Sequence, residues 1–341
     1  MSGRNSVTSV THEFKHAVSQ AAGLPRRRVM RIFVAGASGA IGHRLVPMLV
    51  QRGHTVTGAT RTPDKVGVVR SLGAEPIIVD ALDRAQVMKA VADAQPEVVI
   101  HQLTAIGGRM NLRNFDVYFA GTNRLRTEGT DHLLAASRAA GVRRFVAQSY
   151  TGWTNIRTGG PVKTEDDPLD PHPPANSRQS MAAIQHVEST VASAPLEGVV
   201  LRYANLYGPG NALSADGDIA RMLRTRQLPV VGGGAGVWSF IHVDDAATAT
   251  VIAAESGPTG LFTIADDDPA PVHEWLPYLA LALGAPRPLR VPAWLVRPLL
   301  GEHGIVMMTT ARGSSNAKAR KEMGWEPAYS SWRQGFREGL R

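Results

Sequence analysis

Three glycines, Gly36, Gly39 and Gly42, recur at a spacing of three between the apolar run Arg31–Ala35 and a helix-like pattern over 41–51. A strand that turns directly into a helix leaves free backbone N–H groups at the positive helix end, which suits a phosphate. Each glycine has its own task. Gly36 permits the tight turn, Gly39 lets backbone approach a pyrophosphate, and Gly42 allows the helix to sit close on the strand. Ser38, Ala40 and Ile41 complete the turn. The chemistry that this spacing supports is dinucleotide binding and, through the dinucleotide, hydride transfer. A tight turn without a ligand would use the same residues.

The end of the second strand bears on which dinucleotide. An acid there would bind a ribose 2′-hydroxyl and repel a 2′-phosphate. The segment reads "VTGATRTPDK", with Thr60 and Arg61 at that place. A guanidinium forms charge-assisted hydrogen bonds to a phosphate. The expectation is NADP(H), with NAD(H) as the alternative and a plain surface arginine as the third reading. Asp80, followed by Ala81, ends the third strand near where an adenine edge would lie; it would equally serve as an N-cap for the next helix.

These residues need a scaffold. Apolar strand candidates at 31–35, 55–59, 76–79, 98–101, 145–148 and 199–202 alternate with amphipathic stretches at 41–51, 84–94 and 124–140. Such alternation predicts an α/β protein: a doubly wound, Rossmann-type parallel sheet. After about Asn205 the segments become shorter and richer in Pro and Gly, and helices are expected at 243–254 and 273–283. This predicts a smaller C-terminal substrate lobe against the C-terminal strand edges, where ligands bind in open α/β sheets. The division expected is a leader at 1–29, a cofactor-binding domain at 30–204, and a mainly substrate-binding lobe at 205–341 with some segments returning to the first domain. Residues 156–177 have no periodicity and read as a flexible connection or an active-site cover.

From about residue 30 onward the chain resembles the extended short-chain dehydrogenase/reductase family, which includes nucleotide-sugar epimerases and dehydratases. The resemblance rests on "VAGASGAIG", "VVIHQLTA", "EGTDHLLAASRAAGVRRFV", "LRYANLYGPG", "FIHVDDAATA" and "NAKARKEMGWEP". It implies that Leu103 and Thr104 line the nicotinamide side, with Ala105 and Gln148 in the cofactor set. It places Tyr203 and Asn205 near the nicotinamide and the substrate.

The catalytic positions depart from that family, whose members use Ser, Tyr and Lys, the last two as Tyr-x-x-x-Lys on one helix. The aligned segment reads "SRQSM", with Ser177 in the Tyr position and Met181 in the Lys position. No other register helps, because none of the six tyrosines has a lysine four residues later. In "RFVAQSYTG" the catalytic Ser position falls on Tyr150, with Ser149 one residue early. Tyr150 is therefore a candidate phenol, or else a packing aromatic. A further departure is Trp238, which stands where nucleotide-sugar enzymes of the family carry an arginine for the substrate diphosphate; an indole cannot neutralise phosphate but can cover a flat apolar ligand. Trp153, Ser177, Met181, Asn205 and Trp238 make up the expected substrate surface.

The resulting expectation is an NADPH-dependent ketoreductase acting on a polycyclic aromatic ketone, similar to atypical family members that reduce angucyclinone-like polyketides. A phenol beside the ketone would assist internally where the Tyr/Lys pair is missing. The alternatives are a nucleotide-sugar epimerase or dehydratase and a non-catalytic NADP-binding sensor.

Composition narrows the remaining classes. The absence of cysteine removes disulfides and thiolate chemistry and suits a cytoplasmic location. The net charge is +8, of which residues 1–31 supply +5. The basic excess thus belongs to a short leader, read as a solvated tail, an upstream start before Met30 or a polyanion-binding arm. No nucleic-acid or membrane partner is expected, and the assembly is read as a monomer or homodimer. His43, His54, His101, His132 and His186 are scattered over different elements, so no metal site is expected. The acidic runs 165–170 and 266–268 read as solvated loops.

Overall fold

The apolar runs become a seven-stranded sheet in which every neighbouring pair is parallel. The strands are β1 (Arg31–Ala35), β2 (Thr55–Thr60), β3 (Glu75–Ile78), β4 (Val98–His101), β5 (Arg144–Tyr150), β6 (Glu197–Tyr203) and β7 (Gly260–Ile264), and the spatial order is β7-β6-β5-β4-β1-β2-β3. The computed structural model describes residues 28–107 and 111–341, so most of the expected leader lies outside the described residues.

Because helices cover both faces, the strands are apolar on both sides. In β1, Ile32 and Val34 enter one core while Phe33 and Ala35 enter the other. The first core also takes Leu45, Val46 and Leu49 of α1 (Gly42–Gln51) and Ala246, Ala247 and Val251 from the helix Val243–Glu255. The second takes Val87 and Val91 of α2 (Arg84–Ala94), Leu133 and Leu134 of α3 (Thr130–Ala139), and Val187 and Val191 of α4 (Arg178–Ala192). β3 tolerates Pro76 because it is an edge strand.

Several expectations need correction. The helix expected over 124–140 starts earlier, as an α-helical segment Ala120–Arg124, and passes through a π turn, Leu125–Gly129, before α3. β7 was not anticipated; it comes from the C-terminal part of the chain and pairs with β6. Residues 156–177 do not line the cofactor cleft. They are fastened by parallel pairing of Val162–Lys163 with Gly313–Ser314 and by an Arg157–Asp170 ion pair at 2.8 Å. The acidic runs are anchored rather than solvated. Asp170 and Asp266 are buried, the Glu165 carboxylate accepts from the Thr263 amide, and Asp267 pairs with Arg320.

A third core, built from the later segments, contains Tyr207, Phe240, Trp275, Trp332 and Phe336. No helix among the described residues is long and apolar enough to cross a membrane.

Candidate cofactor cleft and active site

The sheet order reverses between β1 and β4, and a cleft of about 640 Å³ opens at their C-terminal ends. Gly36, Ser38, Gly39, Ala40, Ile41 and Gly42 form its floor. Gly36 has φ +96°, and a Cβ there would lie 2.7 Å from the Gln102 carbonyl oxygen. A Cβ on Gly42 would lie 2.4 Å from the Ala37 carbonyl oxygen. At Gly39 the protein demands less: the nearest atom to a Cβ is the Gly36 oxygen at 3.3 Å. A side chain at Gly39 would instead take up room at the mouth of α1, which begins without a side-chain cap and without an acid in its first turn. The cradle therefore fits a pyrophosphate.

Thr60 and Arg61 line the same cleft, and the Thr60 hydroxyl lies 3.4 Å from that of Ser38. Lys65 stands on the same wall, and neither Arg61 nor Lys65 has an ion-pair partner among the described residues. Asp80 and Ala81 also border the cleft. Asp80 accepts from the Leu82 amide, and the N-cap of α2 is Asp83, so Asp80 is not the capping residue. Leu103, Thr104, Ala105 and Gln148 line the far wall, where the Gln148 side-chain amide donates to the Leu103 carbonyl at 2.9 Å.

The reaction end is arranged differently. Ser177 is fully buried and donates to the Pro174 carbonyl, so its hydroxyl faces no ligand. Met181, one turn into α4, is buried with Phe115, Trp153 and Ile184. Along β5 successive side chains alternate faces. Ser149 points toward α4 and donates to Glu188 at 2.7 Å, which Arg202 also grips. Tyr150, on the other face, donates to Asn205 Oδ1 at 2.9 Å, and burial holds its phenol well above the ordinary range.

Asn205 is thus a hydrogen-bonding partner of Tyr150 and does not itself line the cleft. Tyr203 is a correction: it lies in the core, bonded to Gln102 and Thr250, and burial pushes it up to about 12. Trp238 is another. Its indole donates to the Met307 carbonyl and packs 4.7 Å from Trp275, away from the cleft. Neither correction is visible in a motif, because each depends on which way a side chain turns at the end of a strand.

Other residues had no sequence signal. Tyr118 lines the cleft, as do Leu206, Asn211 and Arg221 from the segment after β6. Arg126, on the π turn, is a buried guanidinium whose Nε lacks a partner; burial lowers it to about 10, and its charge acts on Tyr150 and Glu188. Among the described residues no group of three or more His, Asp and Glu converges to hold a metal.

Several known proteins are similar to this chain. A 3-diazoavenalumate denitrifying reductase from a Streptomyces species is 47% identical over 312 residues, covering 90% of this chain and 99% of that protein. A 4-hydroxy-2-methyl-3-oxo-4-farnesyl-3,4-dihydroquinoline-1-oxide ketoreductase from Stigmatella aurantiaca is 27% identical, covering 73% and 72% of the two chains. The crystal structure of Thermus thermophilus UDP-glucose 4-epimerase in complex with NAD superposes with a TM-score of 0.69 at 25% identity, over 91% of this chain and 98% of that one. Residues 32–265 match the NAD dependent epimerase/dehydratase family, and the chain belongs to it.

Proposed function

We propose that the protein is an NADPH-preferring reductase of a hydroxylated aromatic substrate, and that it delivers hydride without a side-chain proton donor. The observation that carries this is a contrast between the cofactor cleft and the family's acid–base positions. The cofactor cradle is complete, while the family's acid–base positions hold a buried serine and a buried methionine. When bound, the reduced nicotinamide supplies the hydride. The chain's own residues bind and orient: Gly36, Gly39 and Gly42 admit the pyrophosphate, Arg61 and Lys65 attract a 2′-phosphate, and Asp80 with Ala81 borders the adenine end. Tyr150 keeps its proton and holds Asn205.

The acceptor that suits such a site best is an arenediazonium or diazo-arene. Hydride addition to the terminal nitrogen of Ar–N₂⁺ gives the diazene Ar–N=N–H. Its C–N bond then breaks to release N₂, the N–H proton is given up and the ring carbon takes up a proton from solvent. No alkoxide is left to protonate, so the missing Tyr/Lys pair is no handicap. The similarity to a denitrifying reductase supports this reading. A ketone is the second reading, supported by similarity to a ketoreductase. Carbonyl reduction leaves an alkoxide, and a phenol on the substrate beside the carbonyl would hydrogen-bond it in place of a protein acid, a role otherwise worth about 10²–10⁴ in rate. An epimerase or dehydratase would need an acid–base group that these positions do not offer.

The test uses NADPH deuterated at the transferring C4 position with an ortho-diazophenol, a peri-hydroxy aromatic ketone and its deoxy analogue. One N₂ released per NADPH oxidised is the expected result for the diazo reading. Deuterium on the carbinol carbon, with the deoxy ketone much slower, would move the assignment to the assisted ketoreductase. Oxidation of NADPH by none of the three, with the cofactor bound, would overturn the reductase reading.

A further inference from the structure

Among the described residues, His303 is a buried imidazole whose ring has no hydrogen-bond partner. Its side chain is 0% exposed, and neither Nδ1 nor Nε2 makes a hydrogen bond. A buried polar group left unpaired costs stability, so it calls for a reason. Its placement is specific. The helix Ala293–Thr309 breaks at Gly301, with φ +66° and ψ 179°, and His303 opens the second half. There the His303 amide donates to Asn176 Oδ1, while the Asn176 side-chain amide holds the carbonyls of Leu112 and Arg113.

The ring lies in an aromatic slot. Phe115 stacks on it at 3.7 Å with an interplanar angle of 27°, and Trp153 meets it edge-on at 4.8 Å. Tyr150 lies 6.3 Å from Trp153, and Met181 closes the same cluster. The cluster adjoins the cofactor cleft through β5, since Gln148 lines the cleft and Tyr150, two residues on and on the same face, joins the slot.

We infer that this slot is the recognition site for the substrate's aromatic ring, with His303 reading a ring hydroxyl and Phe115 holding the place that the ring takes. The inference rests on the aromatic-substrate reading above and deepens it. Burial lowers His303 to about 3, so at neutral pH the ring is uncharged. A neutral imidazole carries one N–H donor and one lone-pair acceptor on different edges of the ring, and a phenol hydroxyl, as acceptor or donor, can pair with either one. Stacking against a flat face, as Phe115 now does, selects a planar ring. A side chain that merely fills a core seldom leaves both nitrogens of one ring unpaired.

The experiment measures binding by isothermal titration calorimetry with NADP⁺ present, using 4-hydroxycinnamate and cinnamate as probes. Because no turnover is read, its outcome is separate from whether the protein reduces any given acceptor. The wild-type protein should bind the hydroxylated probe at least about tenfold more tightly than cinnamate. His303→Phe should bring the two within about twofold of each other. It should leave NADP⁺ affinity unchanged and the melting temperature unchanged or raised, since it removes two unpaired polar atoms. Phe115→Ala, which opens the slot, should tighten both probes while keeping the hydroxyl preference. The inference is overturned if the wild-type protein shows no hydroxyl preference or if His303→Phe keeps it. It is equally overturned if His303→Phe lowers the melting temperature by several degrees, which would make the imidazole a structural group.

Discussion

The two ends of the binding region are built on opposite principles. At the glycine turn the walls are backbone and small residues, the cleft is open, and Arg61 and Lys65 stand unpaired at its rim. At the end of β5 the walls are large side chains packed on one another, and apart from the His303 ring and Arg126 Nε the polar groups named there are bonded internally, as in Tyr150 to Asn205 and Ser149 to Glu188. At Gly36 and Gly42 the first end tolerates no added side chain, because the close approach is of backbone to backbone. The second end can exchange its side chains and still pack. A family scaffold can therefore keep its cofactor cradle while its reaction chemistry is replaced.

Restoring the family's pair is the strongest way to break that contrast. Met181→Lys would bury an ammonium among Phe115, Trp153 and Ile184. It should cost about 3–5 kcal/mol in urea unfolding. Ser177→Tyr with Met181→Lys should give no faster ketone reduction. A gain of about 10² in rate would show instead that the reaction end is an ordinary one lacking two side chains. At the cofactor end, Arg61→Asp should weaken NADPH by about 10–100-fold in fluorescence titrations, as expected for losing a charge-assisted bond to phosphate, and change NADH by less than about threefold. An unchanged preference would assign the phosphate to Lys65. The smallest effect is expected from Tyr150→Phe, which loses one hydrogen bond to Asn205 and about 1 kcal/mol of stability. Turnover should fall by less than about tenfold; a larger loss with an altered pH profile would make the phenol the proton donor after all.

The parts of this architecture that were legible in the chain are those written in local pattern. β1 and β4 begin and end where their apolar runs do, and α2 spans the expected stretch at 84–94. β5 and β6 extend past the expected ends because pairing with neighbours continues through Tyr150 and Tyr203. β7 was missed because a five-residue run such as "GLFTI" acquires its identity only by pairing with β6. Arg126 and His303 gave no signal at all, since burial without a partner is a property of what surrounds a residue.

Glycine spacing, strand–helix alternation and the loss of the Tyr/Lys pair were decided by residue order, because steric and hydrogen-bonding rules of the backbone act over a few residues. Which tyrosine faces the core, which carboxylates are buried and which imidazole is left unpaired were decided by packing. Those outcomes depend on contacts between segments more than a hundred residues apart, such as Trp153 and His303. Dielectric environment and hydrogen-bond supply exist only once those segments have met.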